Sequence, residues 1–301
     1  MLKPGYLKKG DRICVVSPAG KVEKGRIIAG MKLFEQAGFE VVWGDHVFDS
    51  HFQFASTDAR RLHDLQQALD DPECRAVVCA RGGYGAIRMV DKLDLLAFRR
   101  QPKWLVGFSD ITVLHAFFQR EGFCSIHGAM PGFYLKDGQP SESFNALLKA
   151  LRGETSQVMV PHHEFNRPGD ANGKLVGGNL SIVYSLMGTP FEPETDGNIL
   201  FIEDLAEYLY HLDRIMHSLK LSGKIERLNG LLVGGFTKMK DNDAPFGQSA
   251  LEIIRDAVKE YSFPVCFDFP AGHIDRNLPL VFGAEYRLEV RESTGSTLAM
   301  L

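Results

Sequence analysis

Residues 104–110 read WLVGFSD and run directly into ITVL. An apolar strand that leads straight into an amphipathic helix, with Ser109 at the junction, is the setting of a nucleophile elbow. A sharp turn lifts the hydroxyl above the sheet, and helix-terminal N–H groups can receive an oxyanion. The usual elbow has a second glycine two residues after the serine, where Ile111 stands. The alternative is that Ser109 only caps the helix, with Asp110 favoured in its first turn by the dipole. A serine nucleophile also needs a base, and the base needs an orienting acid.

His273 is one candidate base. Residues 265–269 (VCFDF) form an apolar strand, and PAGH turns off its end. The C-terminal end of a buried strand is where α/β sites are built; a turn histidine with no role is the plainer reading. Glu203 and Asp204 follow the apolar run ILFI. They either initiate a helix beginning at Leu205 or supply an orienting carboxylate. His115 lies over a turn into its helix and is expected on the helix surface or in packing, and His127 stays open. His162 and His163 read as a solvated pair without metal-ligand spacing. His211 and His217 read as surface positions.

Residues 80–86 (ARGGYGA) follow the strand AVVCA. Glycines between a strand and a helix let the backbone approach an anion closely. Dinucleotide spacing is wrong, since Asp91 and Asp94 come too early, and a Walker lysine is absent. An oxyanion-binding loop or a simple tight turn remains.

The elements needed to position these groups alternate through the first half. Strands are expected at 12–17, 39–43, 76–80 and 104–108, with helices at 24–37, 57–69 (capped by Ser56 or Thr57), 86–93 and 111–119. Short apolar strands alternating with helices indicate an α/β fold with a parallel sheet covered on both faces. Residues 160–173 are polar and rich in Pro and Gly, which marks a linker. Beyond it, strands at 174–176, 199–202, 230–233, 265–269 and a final one at 286–290 alternate with helices at 180–187, 206–219 and 249–261. The expected organisation is an N-terminal domain over 1–160, a linker over 161–173 and a smaller mixed α/β domain over 174–301.

The chain has 301 residues, 45% apolar and 24% charged, as in soluble globular proteins. A net charge of −4 without a basic run disfavours nucleic-acid and membrane-surface partners. No apolar run approaches the roughly 18 residues of a membrane span. The first twenty residues make a poor secretory signal, interrupted by Pro4, Gly5 and a basic cluster. Five scattered cysteines with no C-x-x-C pair suggest a reducing, cytoplasmic compartment.

Taken together and in order, RGGYG at 81–85, GFSDIT at 107–112, Ile202-Glu203-Asp204 followed by Tyr208 and Asp213-Arg214, and Gly272-His273 resemble the LD-carboxypeptidase family of serine peptidases. That family includes muramoyltetrapeptide carboxypeptidases and microcin C self-immunity peptidases. Its motif lacks the second elbow glycine, so Ile111 agrees with it. The resemblance implies a triad of Ser109, His273 and Glu203 and an oxyanion hole from backbone N–H groups near Gly83 and Asp110. It further implies a nucleophile domain like that of class I glutamine amidotransferases, with the Glu and His in the smaller domain, and commonly a homodimer. The implied reaction is release of terminal D-alanine from murein tetrapeptide in the cytoplasm, with no metal or cofactor. Arg81 is the suggested cation for the substrate's terminal carboxylate. Three other readings compete: an immunity-type peptidase acting on an aminoacyl-nucleotide, an amidotransferase-like enzyme using Cys79, and a two-domain small-molecule binding protein without catalysis. Specificity is expected in loops such as 133–140.

Overall fold

The computed structural model describes residues 1–154 and 157–301. In chain order its elements begin with β1 (Arg12–Val16), α1 (Lys24–Gln36), β2 (Glu40–Trp43), α2 (Asp58–Asp70), β3 (Cys74–Cys79) and β4 (Trp104–Gly107). Then come α3 (Thr112–Arg120), β5 (Ser125–His127), the small hairpin β6 (Leu135–Lys136) and β7 (Gln139–Pro140), and α4 (Glu142–Leu151). The later chain holds β8 (Val158–Val160), β9 (Gly169–Asn179), α5 (Leu180–Ser185), β10 (Ile199–Leu205), α6 (Leu209–Leu221) and β11 (Gly230–Thr237). It ends with α7 (Ala250–Val258), β12 (Val265–Cys266), β13 (Leu280–Phe282), β14 (Glu285–Arg291) and β15 (Gly295–Met300).

The chain forms two compact units, Met1–Thr155 with Asp275–Val281, and Ser156–Ile274 with Phe282–Leu301. Residues 275–281 therefore return to the first unit, which a single cut at 161–173 does not anticipate. The first unit's sheet has the order β13-β5-β4-β3-β1-β2, with β1 to β5 paired in parallel. Strand order reverses between β1 and β3, the switch point where open α/β sheets bind ligands at their carboxyl ends. The strands are buried almost throughout because helices cover both faces; Ile13, Val15, Val77, Val78, Leu105 and Val106 are closed to solvent.

The second unit's sheet runs β12-β11-β10-β9-β14-β15-β8. Strands β9 to β12 are parallel, and β14, β15 and β8 continue it antiparallel. Strand β9 serves both halves. Residues 169–174 pair with β14, and Leu175–Asn179 pair with β10. Its first half buries Ala171 while leaving Asp170 and Asn172 exposed, as a half-solvated antiparallel strand does. The polar composition of 161–173 thus conceals the start of a strand as well as connecting chain. Strand β15 follows the expected final strand and pairs with β14. On the parallel half, α6 and α7 bury Leu212, Ile215, Met216, Ile253 and Ile254 against Val176, Leu200, Ile202 and Val233. α7 starts with a full capping box between Ser249 and Glu252.

One expected helix is absent. Residues 86–93 form two 3₁₀ turns, Ala86–Arg88 and Val90–Lys92. Met89 leaves helical geometry between them (φ −138°) as its side chain is buried beside Arg61. No helix among the described residues is long and apolar enough to cross a membrane.

Candidate active site

At the end of β4, Phe108 is extended (φ −153°) and Ser109 turns to φ +67° before a 3₁₀ turn runs into α3. A non-glycine residue in this region is strained by on the order of 1–3 kcal/mol and persists only where its surroundings enforce it. The N-cap positions of this turn and of α3 are Phe108 and Ile111, whose apolar side chains cannot cap a helix. A left-handed residue between a strand and a helix is the backbone geometry of an elbow, and Ser109 is half-buried at its apex.

The glycine loop after β3 lies against it. A Cβ placed on Gly82 would fall 2.9 Å from Ser109 Cβ and 3.1 Å from Oγ, so only glycine permits this approach. Gly20, just beyond β1, donates its N–H to Gly82 O at 2.9 Å, and Gly83 follows at φ +105°. Asp110 clamps the far end of the loop: its buried carboxylate accepts the Ala86 N–H at 2.8 Å. Burial pushes this carboxyl up to about 6, against the pull of the Ala86 hydrogen bond, the Arg61 charge and the Gly85 backbone. Arg61, 2% exposed, donates to the carbonyls of Pro18 and Ser56 and to Asp58. Sequence reasoning gave Asp110 a backbone N–H for the oxyanion or a place in the first helical turn, not this clamp, and did not single out Arg61. The available signals were Asp58 one turn before Arg61, and the apolar spacing that points Arg61 inward with Leu65.

In the second unit, Glu203 and Asp204 lie inside β10 and are buried, and α6 begins only at Leu209. The helix-initiating reading of this acidic pair is therefore wrong. The pairing of β10 with β11 is irregular between Ile202 and Asp204, which re-aims the side chains there. Glu203, with no exposed surface, accepts the His273 N–H at 3.0 Å and faces His273 Nδ1 at 2.7 Å, both through Oε2. Its Oε1 accepts from Asn179 Nδ2 at 3.3 Å. Nδ1 beside a carboxylate carries the proton, which leaves Nε2 as the basic nitrogen. The His273 side chain keeps 14% of its surface open. Gly272 adopts φ +103°, and a Cβ there would meet Glu203 Oε2 at 2.6 Å. Thr237 Oγ1 holds the His273 carbonyl at 3.0 Å. Asp204 accepts from Ser181 N–H, Ser181 Oγ and Asn179, and burial raises its carboxyl above the usual range. Asn179 thus braces both acids, a role that sequence reasoning missed.

The remaining candidates separate clearly. His115 is a buried packing residue whose Nε2 donates to Gly107 O at 2.9 Å while Nδ1 accepts from Ser125 Oγ at 2.8 Å. Burial lowers its pKa to about 4. His127 is buried in β5 with its ring against Phe108. His163 stacks on Phe267 and accepts the Phe165 N–H, so it is tied down rather than freely solvated. His211 pairs with Glu207 and His217 with Asp213 on α6. Cys79 is fully buried in β3, and burial pushes its thiol well up, opposite to what a thiolate nucleophile needs. Arg81 is exposed and donates to Lys21 O at 2.6 Å. Cavities of about 540 Å³ beside Asp170 and Tyr261, and about 470 Å³ beside Trp43 and Asp64, are lined by none of Ser109, Glu203 or His273.

The sequence model of the LD-carboxypeptidase N-terminal domain matches residues 13–128, and that of the LD-carboxypeptidase C-terminal domain matches residues 172–288. The probable murein peptide carboxypeptidase of Bacillus subtilis (strain 168) is 34% identical over 97% of this chain and 93% of its own length. The murein tetrapeptide carboxypeptidase of Pseudomonas aeruginosa is 30% identical over 92% of this chain and 93% of its own. Among solved structures, the muramoyltetrapeptide carboxypeptidase from Oxalobacter formigenes superposes with a TM-score of 0.86 at 26% identity, covering 96% of this chain and 98% of that one. The microcin C7 self-immunity protein MccF superposes at 0.87 with 20% identity over 100% and 99%, a likeness of fold. With the elbow at Ser109 and the Glu203–His273 pair in place, these matches make the chain a member of the LD-carboxypeptidase family of serine peptidases.

Proposed function

We propose that this protein is an L,D-carboxypeptidase that releases the terminal D-alanine of murein tetrapeptide during peptidoglycan recycling. The observation that carries the reading is the buried Glu203 carboxylate on Nδ1 of His273, which leaves Nε2 as a base. Ser109 Oγ attacks the carbonyl of the L-centre, and His273 Nε2 takes the hydroxyl proton. The tetrahedral oxyanion is held by backbone N–H groups at Gly83 and Asp110, where one good donor supplies about 3–4 kcal/mol. His273 returns the proton to the nitrogen of D-alanine as the C–N bond breaks. Water, activated by the same imidazole, then hydrolyses the acyl-enzyme. Glu203 fixes the tautomer and stabilises the imidazolium.

In this reading the two units are the functional domains, the first carrying the nucleophile and the second the Glu and His. The parallel sheet with a nucleophile at a strand end supports kinship of the first unit with class I glutamine amidotransferases. Arg81 supplies a cation for a substrate carboxylate, the enzyme works in the cytoplasm, and the working form is a homodimer. The test is D-alanine release by purified protein from tetrapeptide and from the pentapeptide ending in D-alanyl-D-alanine. Release from the tetrapeptide alone is expected, because a D-centre before the scissile bond pulls the carbonyl off the oxyanion donors, and about 1 Å of misplacement can cost on the order of 100-fold. Equal release from both, or none from either, overturns the reading and favours an immunity-type substrate.

A further inference from the structure

A cavity of about 290 Å³ in the first unit is lined by both the glycine loop and α1. Arg81 enters it from the loop, immediately before the glycine that lies against Ser109. Phe133, which also lines it, has its ring 5.7 Å from that of Phe108, the residue before Ser109. The cavity therefore flanks the nucleophile's turn through two independent contacts.

Arg26 from the first turn of α1 also lines it. Its Nε donates to Gly132 O at 2.6 Å, and its guanidinium lies over Phe133 at 5.5 Å. These contacts fix the plane of the group and leave its other donors uncommitted. Arg81 is held by one hydrogen bond, from Nη1 to Lys21 O at 2.6 Å. Among the described residues, neither guanidinium pairs with a carboxylate, whereas Arg88 pairs with Asp58 and Arg276 with Glu142. Two guanidinium groups that line one cavity, neither paired with a carboxylate, offer it the planar charged donors that bind a carboxylate. Glu23 lines the same cavity without an ion pair to either guanidinium and lowers the formal charge of the lining from two positive to one. Ile27, Met130 and Phe133 offer apolar wall to the carbon chain that bears the bound carboxylate.

We propose that Arg26 and Arg81 form a two-guanidinium subsite that holds one substrate carboxylate adjacent to the scissile bond. The inference rests on the carboxypeptidase reading and adds to it the recognition of the anion. Two groups of the substrate carry that chemistry: the terminal carboxylate of the leaving D-alanine, and a side-chain carboxylate on the third residue when that residue is diaminopimelate.

The experiment uses four tetrapeptides, combining a terminal acid or amide with diaminopimelate or lysine at the third position. kcat/KM is measured for wild type, Arg26→Ala, Arg26→Lys and Arg81→Ala, with thermal unfolding as a check that the variants fold. In wild type, removing the recognised carboxylate lowers kcat/KM by about 10–100-fold, and the arm in which this occurs names its source. Arg26→Ala loses a similar factor on the parent peptide and then discriminates little along that arm, while Arg26→Lys retains part of the discrimination. The subsite is overturned if Arg26→Ala and Arg81→Ala discriminate as wild type does along both arms, or if wild type discriminates along neither. Failure of D-alanine release from all four peptides by wild type instead refutes the carboxypeptidase reading, and the subsite with it.

Discussion

The nucleophile junction and the Glu203–His273 pair are built by opposite means. Around Ser109 the placement comes from backbone: a left-handed φ, a glycine that lets the loop touch the serine, and a carbonyl–amide contact from Gly20. Around His273 it comes from side chains: a fully buried carboxylate takes both the backbone and the ring N–H of one histidine and is itself braced by Asn179. The first region is sensitive to added atoms, because strain and close approach leave no room. The second is sensitive to removed ones, because a buried polar group without its partner carries the full desolvation penalty.

The largest test of this contrast removes the proposed nucleophile and base. Ser109→Ala and His273→Ala are each expected to lower kcat by about 10⁴–10⁶, and the double variant by little more, because such residues act as a unit. Their effects on stability differ. Ser109→Ala leaves folding nearly intact, whereas His273→Ala is expected to lower stability, because the buried Glu203 carboxylate loses its ring partner and keeps only the backbone N–H and Asn179. Glu203→Gln loses less activity than either, since the amide holds the ring imperfectly without abolishing the base. Steady-state kinetics with urea denaturation checks all of these; additive losses in the double variant would break the unit.

A smaller effect comes from adding one methyl group. Gly82→Ala places a carbon 2.9 Å from Ser109 Cβ and should cost on the order of 100-fold in kcat/KM. Gly272→Ala would press on Glu203 Oε2 and should lower stability by about 1–3 kcal/mol as well as activity. Cys79→Ser, at the end of β3, should remain active, and iodoacetamide should not inhibit the native enzyme. A Gly82→Ala enzyme with wild-type turnover would remove the loop from the site.

Much of the first region was legible in the sequence, because its signals are local. WLVGFSD reads as strand, turn and helix, and three glycines after AVVCA announce a backbone-lined loop. Local signals could not choose between elbow and cap at Ser109, since that depends on φ, which Gly82 and Gly20 help to enforce from elsewhere in the chain. The second region was less legible. Glu203 and Asp204 look like the start of a helix, and only the pairing of β10 with β9 and β11 shows that the strand continues through them. Asn179 lies 24 residues from Glu203, and its local signature is that of the α5 N-cap, which says nothing of the acids it braces. The polar run before Lys174 hid half of β9 because a half-solvated strand resembles a linker in composition. Residues 86–93 misled in the other direction, through apolar spacing without the helix.

The smallest effect concerns two buried titratable groups on the nucleophile side, and its sign differs between them. Asp110 is pushed from 3.8 up to about 6, so between those values the folded protein keeps a proton that the unfolded chain has lost. The stability due to Asp110 therefore falls as pH rises through that window. His115 is pushed from 6.5 down to about 4, so there the unfolded chain holds a proton that the folded protein lacks. The stability due to His115 therefore rises with pH through nearly the same window. In wild type the two slopes, each on the order of 3 kcal/mol end to end, largely cancel. Asp110→Asn removes the falling slope, so its unfolding free energy relative to wild type should climb between pH about 4 and about 6. His115→Gln removes the rising slope, and its relative unfolding free energy should decline across the same range. Urea midpoints at several pH values measure both as differences, which cancels every group the variants share with wild type. Slopes of the same sign in the two variants would show that burial does not set both protonation states; a declining Asp110→Asn difference would mean that the Ala86 hydrogen bond and the Arg61 charge outweigh burial at that carboxyl.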